Sequence, residues 1–131
     1  MSMETDLRDK ILGNAAVAAL IGTRMYPESA AYGTALPCLV MQRISTHHTH
    51  SHSGISGYAV ARMQITALAE TPEGRIALGE AVRLAIDAFV GTQGSFYFAI
   101  YLADTRDDYL DDVPVYRRQL DFEVQYNEPD V

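Results

Sequence analysis

The stretch that decides the fold runs from Leu36 to Val90 and contains LPCLVMQRI (36–44), YAVARMQITALA (58–69) and TPEGRIALGEAVRLAIDAFV (71–90). The first segment is apolar and is predicted to be a strand, beginning at Pro37, where a missing amide donor is tolerated. The second alternates between two faces and predicts a half-buried strand. The third has Thr71 as N-cap and apolar residues at helical spacing, which predicts a helix of about 30 Å.

Further elements are predicted on both sides of this stretch. Two amphipathic helices precede it, at residues 4–12 and, after the N-cap Asn14, at 15–20. Strands are predicted at residues 95–103 and 115–126, and the acidic run from Asp104 to Asp112 between them is predicted to be a loop. The order α, α, β, β, α, β, β predicts a two-layer α+β fold. It has a four-stranded, mostly antiparallel sheet, with the long helix and the N-terminal helices packed on one face.

Length and charge limit the possible functions. The 131 residues are expected to form a single domain, 1–131. The net charge of −7 argues against a protein that grips nucleic acid, because phosphate binding needs a basic surface. The acidic N-terminus lacks the features of a secretory signal, and the longest apolar run is far short of a membrane span. A cytoplasmic setting is therefore expected, with Cys38 as a buried small hydrophobe.

The histidines of the segment Ser45 to Gly57 suggest metal binding. His48, His50 and His52 alternate, so they could converge on one ion, and His47 precedes them. However, serine and threonine are the only neighbours available to orient the imidazoles. A solvated loop is the preferred interpretation, and a small cytoplasmic ligand- or metal-binding α+β protein remains the alternative.

No motif for catalysis or cofactor binding is found. The sequence contains no nucleophile elbow, phosphate-binding loop, dinucleotide fingerprint or paired cysteines, and the acidic run lacks the spacing of a calcium loop. We therefore assign no catalytic, cofactor-binding or metal-binding residues, and predict that the protein is not an enzyme. Tyr58, Tyr97 and Tyr101 either belong to amphipathic strands or face a neighbouring subunit.

Several segments together resemble the tail completion proteins of tailed phages and prophages, also described as tail terminators or head-to-tail joining proteins. The resemblance covers almost the whole chain and rests on packing and turn signatures. The segments are AAVAALIG leading to RMYP (15–27), LP opening a strand that ends QRIS (36–45), ARMQI before the long helix (61–65) and YRRQLDF (116–122).

The resemblance implies a structural subunit located in the virion tail and assembled in the host cytoplasm. Such subunits form a ring, usually a hexamer, that caps the tail tube and offers the surface for joining the head. The implied partners are other copies of the chain, the tail tube protein and a head-completion or connector protein. No specific nucleic acid binding, membrane contact or cofactor is implied. No role is assigned to the histidine-rich residues 46–53.

Overall fold

The computed structural model describes residues 3–27, 36–48, 58–94, 96–111 and 115–127. The chain forms a mixed α+β structure with three helices and one six-stranded sheet among these residues. The elements are α1 (Met3–Leu12), α2 (Ala15–Ile21), β1 (Met25–Pro27), β2 (Cys38–His48), β3 (Tyr58–Ala69), α3 (Pro72–Ile86), β4 (Val90–Gln93), β5 (Phe96–Leu110) and β6 (Val115–Asn127).

The strands lie in the order β1-β2-β3-β6-β5-β4. All neighbours are antiparallel except the parallel pair β1 and β2, so the prediction of a mostly antiparallel sheet is confirmed. The prediction of four strands is wrong, because β1 and β4 extend the sheet at its two edges. These strands contain three and four residues, too few to give a period-two signal.

The helices cover one face of the sheet. Alternate residues of β3, from Ala59 to Ala69, are buried as the sequence predicts, and small alanines let α3 approach the sheet closely. Leu78, Val82 and Ile86 of α3 are fully buried against this face. Burying such side chains stabilises the fold by roughly 1.5–3 kcal/mol each. The covered face therefore holds the hydrophobic core, and the other face carries mainly polar and charged side chains at its centre.

The helix α3 is shorter than predicted at its C-terminal end. The sequence predicts a helix to Val90 that stops at Gly91, whereas α3 ends at Ile86. Asp87 leaves the helix, and its carboxylate accepts a hydrogen bond of 2.9 Å from the amide of Leu102. Ala88 adopts a positive φ of 62°, and the chain then continues as β4. A contact distant in sequence thus ends the helix early.

Two segments predicted to be loops are partly strands. Ser45–His48 completes β2, although the loop was predicted to begin at Ser45. The acidic run was predicted to be a loop from Asp104 to Asp112, but β5 continues through it to Leu110. The reason is cross-strand pairing, since Arg117 and Arg118 of β6 neutralise two of its carboxylates. Residues 49–57 lie outside the described part of the chain.

The start of α3 offers a test of the predicted N-cap. Oγ1 of Thr71 accepts a hydrogen bond of 2.9 Å from the amide of Gly74, and Pro72 occupies the first turn, as predicted. We expect Thr71→Ala to lower the free energy of unfolding by about 1 kcal/mol, because the amide loses its partner. Urea unfolding measures this loss. Thr71→Ser is the matched control, and a similar loss for both variants would contradict the capping role.

Candidate assembly surface

The face of the sheet opposite the helices, called the open face here, is covered by no described element. Its side chains come from the alternate positions of β3 and β6 that do not contribute to the core. They are largely polar or charged, in contrast to the covered face. The central members are Arg62, Gln64, Thr66, Arg117, Gln119, Asp121, Glu123 and Gln125.

Asp121 lies at the centre of the open face. Its side chain is only 7% exposed, although it points away from the helices. Its carboxylate accepts hydrogen bonds from Arg106 at 2.8 Å, Gln64 at 3.3 Å and Arg62 at 3.4 Å. Burial opposes ionisation of this carboxyl, but the donors outweigh it, so the pKa of Asp121 lies below its usual value. The group is therefore a fixed negative charge that holds two arginines.

A second charged cluster lies between β5 and β6. Asp107 and Asp108 each accept two hydrogen bonds from the arginine opposite, Arg118 and Arg117 respectively. These bonds hold the pKa of both carboxyls below the usual range. Consecutive residues point to opposite faces, so Arg117 lies on the open face and Arg118 packs beside Gly79 of α3. Two carboxylates of the acidic run are thus neutralised within the chain.

Exposed tyrosines border these charged clusters. Tyr97 and Tyr101 of β5 are 49% and 44% exposed and share the open face. The sequence left two roles open for them, strand residue or subunit contact. Their exposure is compatible with both. The side chain of Tyr58, grouped with them from the sequence, lies outside the described residues.

Among the described residues, each edge of the sheet is covered by a further strand over only part of its length. The outer strand β4 pairs with Phe96–Ala99 of β5, and β1 pairs with Leu39–Met41 of β2. The remaining parts, the β5 outer segment (103–110) and the β2 outer segment (42–48), have no further strand beside them among the described residues. Such edges are templates for pairing with another chain.

The metal hypothesis concerns residues mostly beyond the described structure. The side chains of His47 and His48 and all of residues 49–57 lie outside it. Within the described ranges, no group of three or more histidine, cysteine, aspartate or glutamate residues is placed to hold a metal ion. None of the helices described is both long and apolar enough to cross a membrane.

The chain belongs to the family described as tail completion protein gp17, whose match covers residues 5–127. Membership places the protein in the virion tail, as the sequence resemblance implies.

Known structures support the same fold. A chain from the virion of a native gene transfer agent particle superposes with a TM-score of 0.80 at 15% sequence identity, over 96% of this chain and 95% of that one. At this identity the likeness concerns the fold alone. No curated protein sequence matches the chain.

Proposed function

We propose that this protein is a structural, non-enzymatic subunit that forms a ring, caps the tail tube and provides the surface to which the head is joined. Residues 1–131 act as one domain in this role. The partners would be further copies of the chain, the tail tube protein and a head-completion or connector protein. The observation that carries the proposal is the family match over residues 5–127. The fold shared with a chain of a gene transfer agent virion supports it.

The charge distribution suits a ring through which DNA passes. Arg62, Arg106 and Arg117 are the arginines that the open face presents from β3, β5 and β6, and each is paired with an aspartate of this chain. Paired arginines offer phosphates little net attraction, and the chain as a whole carries −7. We infer that the open face lines the channel and lets DNA slide without binding tightly.

Light scattering after gel filtration tests ring formation. We expect a discrete species of about six chains of 14.4 kDa each, a closed ring built from heterologous contacts. The measurement is made over a range of protein concentrations, with and without a chelator, and repeated after addition of the tail tube protein. A species unaffected by chelator supports the proposal. A monomer under all of these conditions, or an oligomer that dissociates with chelator, would contradict it.

A further inference from the structure

We propose that neighbouring copies join by antiparallel pairing of the β2 outer segment (42–48) of one copy with the β5 outer segment (103–110) of the next. The pairing would make the separate sheets one continuous sheet around the ring. The inference rests on the proposed ring and names the contact that builds it. Its partner is a second copy of this chain, because the chain itself carries both complementary edges.

The directions of the strands fit this pairing. Along the sheet, β2, β3, β6 and β5 alternate in direction, so β2 and β5 run in opposite senses. A neighbour related by a modest rotation keeps these directions, and its β2 meets β5 as an antiparallel partner. The contact joins two different edges and is therefore heterologous, the type that closes into a ring.

The open segments also lie at opposite ends of the sheet. Cross-strand register places Asp107, in the middle of the β5 outer segment, level with Ala67 of β3. Ser45, in the middle of the β2 outer segment, is level with Arg62. The short strands β4 and β1 cover the other ends of β5 and β2. Beside β5 of one copy, its own β4 and the β2 of the next copy would therefore lie end to end without overlap. Beside β2 of that next copy, its own β1 and the β5 of the first copy would lie end to end in the same way.

This offset predicts a reasonable ring geometry. Each copy then adds four strand positions, about 19 Å at ~4.8 Å per strand, and shifts by about five residues, or about 17 Å at ~3.3 Å per residue. The strands would incline by about 40° to the ring axis, within the ~35–45° of closed barrels. About six copies would enclose a barrel of about 24 strands, roughly 50 Å across. The positions of β1 and β4 therefore force neighbouring copies to shift along the strands, and a closed sheet requires such a shift.

The side chains of the two segments would not repel one another. The three aspartates and the arginine of residues 103–110, and the arginine of residues 42–48, are all paired within their own chain. Exposed apolar side chains lie on both segments, Ile44 on β2 and Tyr109 and Leu110 on β5. Each outer segment begins near a bulge, between Arg43 and Ser45 or between Leu102 and Asp104.

Cysteine crosslinking tests the contact directly. The double variant Thr46→Cys/Thr105→Cys places one thiol on each segment, both on the helix side of the sheet. Within one chain the two strands are three positions apart, about 14 Å, beyond the ~7 Å limit between disulfide-bonded Cα atoms. The native Cys38 is fully buried. Under oxidation we expect a ladder of covalent multimers on a denaturing gel, ending at about six chains as in a closed ring.

The matched control is Thr46→Cys/Leu84→Cys, because Leu84 is 71% exposed and lies on α3, which is part of neither segment. We expect no ladder from it or from the single variants. Light scattering on the same samples distinguishes the proposed ring from the proposed edge pairing. A ring-sized species without a ladder would overturn the edge pairing and leave the ring intact. A monomer throughout would overturn the ring as well.

A proline in the β5 outer segment gives an independent test. The amides of Ile100 and Leu102 point away from β6, because they donate to the carbonyl of Phe89 and to Oδ1 of Asp87. The bulge after Leu102 inserts one residue, so beyond it the amides at odd-numbered positions point away from β6. The amide of Thr105 is one of these and donates to Oδ1 of Asp104 at 2.9 Å, so Thr105→Pro should leave the hydrogen bonds to β6 intact. We expect unchanged circular dichroism and about a tenfold higher concentration for half-assembly, with Thr105→Ala as control. Equal assembly of both variants would overturn the pairing.

Discussion

Gly94→Ala is expected to lower the free energy of unfolding by about 2–5 kcal/mol. Gly94 has a φ of +62°, a conformation that costs an alanine about 1–2 kcal/mol. A Cβ at this position would also lie 2.4 Å from Cγ and Oδ1 of Asp6, a side chain buried between α1 and the turn. Relieving such overlap in a packed interior costs roughly 1–3 kcal/mol more. Thermal and urea unfolding measure the loss, which should lower the melting temperature by about 10 °C or more.

Gly22→Ala provides a comparison without overlap. Gly22 has a similar φ, +61°, and no atom lies within 4 Å of a Cβ built there. Its ψ of −113° lies outside the left-handed helical region, so an alanine there should have a purely conformational cost of about 1–3 kcal/mol. The loss for Gly94→Ala is expected to be the larger of the two, because only Gly94 lies against the carboxylate of Asp6.

A double-mutant cycle sharpens the result. In the Asp6→Ala background the overlap is removed, so the further cost of Gly94→Ala should fall to its conformational part, about 1–2 kcal/mol. The cycle corrects for the interactions that Asp6 itself loses. Additive losses of Asp6→Ala and Gly94→Ala would contradict the contact between α1 and the turn that follows β4.

Local patterns in the sequence were sufficient where one face of an element is buried. The period-two alternation of residues 58–69 predicted β3 and the face it buries, and Thr71 and Asn14 predicted two helix starts. These features depend on neighbours within a few residues, which a sequence displays directly. The prediction therefore succeeded for the centre of the sheet and for the helices that cover it.

The distal part of β5 could not be found by the same reasoning. Charged residues from Asp104 to Asp108 suggest solvent when read alone, because the partners that neutralise them lie about ten residues further on. One signal was available. The pair Asp107-Asp108 lies a few residues before the end of β5, and the pair Arg117-Arg118 lies near the start of β6, as antiparallel cross-strand partners must. The complementary charges of these two pairs thus indicated strand pairing in a segment where the spacing of hydrophobic residues did not.

The candidate surface was harder still to predict. The sequence indicated tyrosines at a possible subunit contact, but it gave no means of locating Asp121, whose donors come from β3 and β5. The partly covered edges depend on β1, which pairs with a segment of β2 more than ten residues away, and on β4, a four-residue strand too short to show a strand pattern. Such features belong to the assembled sheet, and a single sequence does not display them.

Asp121→Ala is expected to lower the free energy of unfolding by about 2–3 kcal/mol at pH 7, because a buried acceptor of three charged or polar donors is lost. Asp121→Asn, which keeps the shape and one acceptor oxygen, should lose about 1–2 kcal/mol. Glu123→Gln is the control, since this carboxylate is exposed on the same strand and face, and its change should stay within about 0.5 kcal/mol. Urea unfolding of the three variants gives the comparison.

The difference in free energy of unfolding between wild type and Asp121→Ala should change with pH in a definite direction. The folded-state pKa of Asp121 lies below the usual value of 3.8, so its contribution is present above pH 3.8 and is lost as the pH falls through the lower, folded value. The gap between wild type and Asp121→Ala should therefore close below about pH 4. Asp107 and Asp108 contribute with the same sign in both proteins and cancel in the difference. A gap that is constant from pH 7 to pH 3 would contradict the ionised state.

The same variant also tests the proposed lining of the channel. Without Asp121, Arg62 loses its only described ion-pair partner, and Arg106 keeps only Asp104. The open face then gains a basic patch, whose binding to DNA phosphates should weaken steeply with salt. We expect Asp121→Ala to retard duplex DNA in a gel at low salt, while wild type and Glu123→Gln do not, provided that all three assemble alike by light scattering. If the assembled Asp121→Ala protein retards DNA no more than wild type does, the open face does not line the channel. The arginine–aspartate pairs then serve only the stability of the sheet.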